Sequence, residues 1–109
     1  MNVILDTNVL MSGVFFGGIP ERILVAWRRG AFQLVVSPSM LAEYQRVAAE
    51  LRREFPRVAI DRVLELIALH AELVQAPPLQ RPLCADPSDD QFIAAALASR
   101  TRVIVSGDR

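Results

Sequence analysis

The chain has 109 residues, 52% hydrophobic and 22% charged, a balance that reads as one globular domain over residues 1–109. Its 12 acidic residues offset 12 basic ones, all of them Arg, so no net charge draws it to nucleic acid or to an anionic membrane, and only a local patch can do so. Cys84 stands alone, no signal peptide precedes the opening strand and no apolar run approaches a membrane span, which excludes an internal disulfide and leads to the expectation of a cytoplasmic protein without a membrane partner.

In chain order, the apolar residues 3–5 of "VILDTNVLMSG" are a strand candidate that runs straight into Asp6. Residues 8–16 read as a short helix stopped by Gly17-Gly18. Pro20 suits a first helical position, and "ERILVAWRRG" runs to Gly30. "FQLVVS" (32–37) is a second strand. Ser37-Pro38 reads as N-cap and first-turn proline of a long helix reaching Phe55, with Met40, Tyr44, Val47, Leu51 and Phe55 as its buried stripe. Pro56 breaks the run. Residues 58–73 form another amphipathic helix, passing into a short strand near 73–75. "APPLQRPLCADP" is a proline-rich loop. Ser88 and Gln91 fit a capping box before "FIAAALASR", and "RVIVS" (102–106) is the last strand.

Alternating helices and continuously apolar strands imply a parallel sheet covered on both faces. In such sheets ligands bind at the carboxyl ends of the strands, near the topological switch point. Asp6 follows the first strand and Asp108 the last. Glu43 lies on the flank of the long helix's apolar stripe, and Asp86, Asp89 and Asp90 cluster at the start of "FIAAAL". Each has an ordinary structural reading. Asp6 can be a cap, Asp89 or Asp90 can answer a helix dipole, Glu43 can face solvent and Asp108 can sit in a turn. Collected at one edge, Asp6, Glu43, Asp90 and Asp108 repel unless a hard divalent cation lies among them. Such a cation can activate water and steady a phosphodiester transition state. His70 and Cys84 lack partners at ligand spacing and read as structural.

"LDTNVL" (5–10), Glu43 in "LAEYQRV", "DQFIAAALA" (90–98) and "VIVSGD" (103–108) resemble, in order, the motifs of a PIN domain, more narrowly the PIN-family toxin of bacterial type II toxin–antitoxin pairs. The resemblance covers nearly the whole chain. It implies a three-layer α/β/α fold with a parallel sheet of order 3-2-1-4, the family's usual fifth edge strand being absent from this C-terminally short form. It also implies a Mg²⁺- or Mn²⁺-dependent endoribonuclease. Asp6, Glu43, Asp90 and Asp108 fall on the family's catalytic, metal-holding positions. Asp90 is preferred to Asp89 because it opens D-x-x-I-A-A. Asn8 and Ser106 match supporting positions, with Asp86 and Asp89 beside them. The implied partners are an RNA substrate, a cognate antitoxin and a second copy of the chain, since an uncovered "RVIVS" edge favours a homodimer or higher self-association.

The alternative is a catalytically impaired, shortened PIN-like module that binds an antitoxin or itself. A haloacid-dehalogenase-type phosphatase would need a second Asp where Asn8 stands, and both it and a phosphoacceptor receiver would need a Lys that the chain lacks. Arg22, Arg28 and Arg29 on one helix, and Arg46, Arg52 and Arg53 on another, are either solvated faces or phosphate contacts that position RNA without reading its sequence.

Overall fold

The computed structural model describes residues 1–84 and 89–106. Strand β1 (Asn2–Leu5) buries Val3, Ile4 and Leu5 completely or nearly so, as a strand covered on both faces must. Asp6 turns the chain into helix α1 (Thr7–Phe15). Gly17 and Gly18, at φ of 80° and 76°, take the left-handed backbone that stops it. Helix α2 (Ile19–Arg28) follows, with Pro20 one place later than expected, in the second helical position. Gly13 lets α1 and α2 meet. A Cβ there would lie 2.7 Å from Leu24 and 2.8 Å from the Pro20 carbonyl oxygen.

Strand β2 (Gln33–Val36) is two residues shorter than "FQLVVS". Ser37 closes it and caps helix α3 (Pro38–Glu54), its Oγ accepting the Met40 N–H at 3.2 Å. The buried stripe of α3 is Met40, Tyr44 and Ala48. Val47, Leu51 and Phe55, expected in it, are only half-buried; Val47 and Leu51 pack on its margin, and Phe55 meets Phe15 and Phe16. The helix expected over 58–73 is helix α4 (Ile60–His70), and strand β3 is the two residues Glu72–Leu73, just before the expected place. Helix α5 (Asp90–Ser99) ends on Arg100 in the left-handed conformation, at φ 58°. Strand β4 (Val103–Val105) is the core of "RVIVS". Ser88, half of the expected capping box, lies outside the described residues.

All strand pairs are parallel, in the order β3-β2-β1-β4, the order that the motifs imply. Leu5 stands opposite Val105, so β1 and β4 end level. The chain moves from β1 to β2 to β3 in one direction and then returns across the sheet to β4. Right-handed crossovers therefore put α1–α4 on one face and α5 on the other, where α5 packs over β1, β2 and β4. This is a three-layer α/β/α sandwich, and its reversal of direction lies between β1 and β4. Among the described residues no single helix is long and apolar enough to cross a membrane.

Candidate active site

Topology delivers three of the four leading acids to one edge. Asp6 directly follows β1. Glu43 lies in the second turn of α3, which starts where β2 ends. Helix α5 feeds the start of β4 through Arg100, so it runs antiparallel to the strands and its first residue, Asp90, stands where they finish. In agreement, Asp90 and Gln91 share a cleft of about 290 Å³ with Ser37 and Ser39 at the end of β2. Asp86 and Asp108 lie outside the described residues.

Asp6 is 9% exposed. Its Oδ1 accepts the Val9 N–H at 2.9 Å, capping α1, and Oδ2 makes no hydrogen bond among the described residues. The cap thus orients the carboxylate and leaves one oxygen unengaged. Next to it, Thr7 is 6% exposed and its Oγ1 is buried with no hydrogen-bond partner among the described residues. Such an atom calls for a water or a ligand.

Glu43 is held differently. Its side chain is 19% exposed, and Oε1 accepts from both Nε and Nη2 of Arg46, at 3.1 and 2.9 Å. Arg46 also reaches Glu50 at 3.0 Å, and Arg52 reaches Asp61 at 3.3 Å. Of the basic group Arg46, Arg52 and Arg53, two members are thus paired with acids of the helical layer. Arg22, Arg28 and Arg29 make no ion pair among the described residues.

Asp90 ties down the proline-rich loop. Its Oδ1 accepts the Cys84 N–H at 2.8 Å and the Leu83 N–H at 3.2 Å. The Cys84 N–H is the main reason that the Asp90 carboxyl sits below its ordinary value; partial desolvation opposes it, and the Cys84 side chain and Leu83 N–H reinforce it. Asp89 is the N-cap residue of α5 but makes no side-chain cap bond to it. Asn8 and Ser106 are exposed, on the first turn of α1 and just past β4.

One polar group of this edge escaped the sequence reading, which took Tyr44 as core alone. It is fully buried, and its hydroxyl donates to the Leu5 carbonyl oxygen at 2.6 Å. Burial holds the phenol well above its ordinary value, and the Asp6 charge adds to this. The signal was available, since an aromatic with a polar tip in a buried stripe needs a partner.

The donors at this edge are all oxygens, the kind that hard divalent cations take. Asp6 Oδ2 and the orphaned Thr7 Oγ1 fit such a ligand. Among the described residues, however, no three His, Cys, Asp or Glu side chains come together closely enough to hold a metal by themselves.

The family model described as the PIN domain matches residues 2–109. PIN domains are in general metal-dependent nucleases that use divalent ions. No curated protein and no solved structure matches the chain.

Proposed function

We propose a ribonuclease function on one premise: the chain belongs to the PIN domain family. The reading is a Mg²⁺- or Mn²⁺-dependent endoribonuclease whose ion is held by Asp6, Glu43, Asp90 and Asp108. The observation that carries it is Asp6, a buried carboxylate at the end of a central strand, oriented by its cap bond and with one oxygen unengaged at the switch point. The chemistry a bound ion would supply there is activation of water and neutralisation of charge developing on a phosphodiester.

The chain's own residues supply the rest. Asp6 and Asp90 present carboxylates whose other oxygens are fixed by backbone N–H groups. Glu43, whose Oε1 accepts from Arg46, would offer its carboxylate to a bound ion. Asn8, Asp86, Asp89 and Ser106 support this set from around it. Arg22, Arg28 and Arg29, which make no ion pair among the described residues, offer guanidinium groups to RNA phosphates, a contact that positions the strand without reading its bases.

The same reading makes the protein the toxin of a toxin–antitoxin pair, acting in the cytoplasm against RNA and held in check by a cognate antitoxin. Self-association to a homodimer or higher is part of it. It is supported by β4, which among the described residues has β1 as its one neighbour in the sheet, and by exposed Phe16, Ile19 and Leu69.

The test is cleavage of a labelled single-stranded RNA by the full chain with Mg²⁺, with Mn²⁺ and with chelator. Cleavage that needs the metal and disappears in Asp6→Asn and Asp90→Asn is the expected result. A folded wild-type chain that binds no Mn²⁺ and cuts no RNA would overturn this reading and leave the second, a PIN-like module that acts by binding an antitoxin or itself.

A further inference from the structure

Tyr44 joins two of the candidate ligands mechanically. It is adjacent to Glu43 on α3, and its hydroxyl reaches across to the carbonyl of Leu5, the residue before Asp6, over a separation of 39 residues in sequence. The ring is fully buried, with Met40 and Ala48 on either side of it along the same helix face. Beyond β1, the Asp6 carboxylate is anchored, among the described residues, to its own helix through the Val9 N–H. Among the described residues Glu43 is anchored to Arg46, on its own helix. Neither acid is tied to the other's element by its own side chain. The Tyr44 hydroxyl supplies that tie, at the short distance of a strong O–H···O bond in a site closed to water.

We propose that Tyr44 is a positioning residue, whose hydrogen bond to the Leu5 carbonyl sets the location of Glu43 relative to Asp6 and thereby tunes the affinity of the site for a divalent cation. The inference rests on the ribonuclease reading for its consequence, though not for its geometry. Tyr44 does not touch the ion. It acts through the backbone of β1 on one side and through α3 on the other, as outer-shell partners of metal ligands do.

The experiment compares the full-length wild type with Tyr44→Phe, which keeps the ring and removes only the hydroxyl. Gln33→Met is the control. It deletes another long-range side-chain hydrogen bond, from Gln33 Nε2 to the His70 carbonyl at 2.9 Å, at the opposite end of β2. Two readouts are taken. Residual dipolar couplings of the metal-free proteins report the direction of α3 against β1, and Mn²⁺ binding is followed by electron paramagnetic resonance, without RNA.

The expected result is a changed α3 direction and Mn²⁺ affinity weakened about tenfold or more in Tyr44→Phe, with both unchanged in Gln33→Met. Unchanged couplings in Tyr44→Phe overturn the proposal, whatever the Mn²⁺ result. Equal weakening of Mn²⁺ binding in Gln33→Met also overturns it, by reducing the effect to general stability. Changed couplings in a protein whose wild type binds no Mn²⁺ uphold the tie between the two elements and reject the ribonuclease reading instead.

Discussion

Asp6 divides its carboxylate between two tasks, and substitution can separate them. Oδ1 caps α1 through the Val9 N–H, a role that Asn performs about as well as Asp. Asp6→Asn is therefore expected to unfold at nearly the wild-type denaturant concentration while losing RNA cleavage. Asp6→Ala is expected to lose cleavage and also about 1 kcal/mol of stability with the cap. Equal stability of the two variants in urea titrations would show that the cap bond contributes nothing. Gly13 is a second position where one residue decides a contact. An added Cβ meets Leu24 and the Pro20 backbone at under 3 Å, and backbone cannot yield as a side-chain tip can. Gly13→Ala should destabilise by about 1–3 kcal/mol, the usual range for overpacking, read as an earlier unfolding midpoint.

At the scale of elements, two junctions hold the carboxyl edge in place. Ser37 is 2% exposed and starts α3 at the end of β2. Ser37→Ala should cost about 1 kcal/mol in equilibrium unfolding, and a neutral result would mean that Pro38 alone defines the helix start. The other junction is Asp90, which binds the 83–84 loop to the first turn of α5. Its carboxyl is lowered in the folded protein from an ordinary 3.8, chiefly by the Cys84 N–H. A lowered folded value means that the charged form is the one folding favours. Its stabilisation is complete above the ordinary value and is lost as pH falls through the lowered one. Stability measured against pH should thus fall more steeply under acid in the wild type than in Asp90→Asn, whose side chain does not titrate. Parallel curves would remove Asp90 from the account of the loop.

For the whole molecule, a cation that binds the folded chain alone adds stability by mass action, about 2.7 kcal/mol at a hundredfold excess over its Kd. Thermal unfolding in rising Mn²⁺ should shift upward continuously in the wild type and stay flat in Asp6→Asn. A wild-type midpoint that ignores Mn²⁺ would argue against a built metal site. The sheet bears on assembly as well. Strand β4 pairs only with β1 and is half-buried, so its outer backbone is open to a further strand among the described residues. Sedimentation over a concentration series is expected to show self-association. A monomer of 12.1 kDa throughout would mean that this edge and the exposed apolar residues stay solvated.

What the sequence determined by itself is the order and kind of elements, and the parallel sheet. These follow from local rules: continuously apolar strands, Pro and Ser at helix starts, Gly pairs at stops. Ser37-Pro38 and Gly17-Gly18 are legible because caps and turns depend on the few residues that form them. Errors fell where packing decides, as when Ala48 rather than Val47 entered the buried stripe, since the angle at which α3 lies on its neighbours is not a property of α3. The acids Asp6, Glu43 and Asp90 were legible as candidates from their places after strands and on helices. What holds each one was not. Only the tertiary structure joined Asp90 to the Leu83 and Cys84 amides, and Tyr44 to Leu5. These bonds depend on rotamers, on loop path and on the register of elements far apart in the chain, none of which a local pattern encodes.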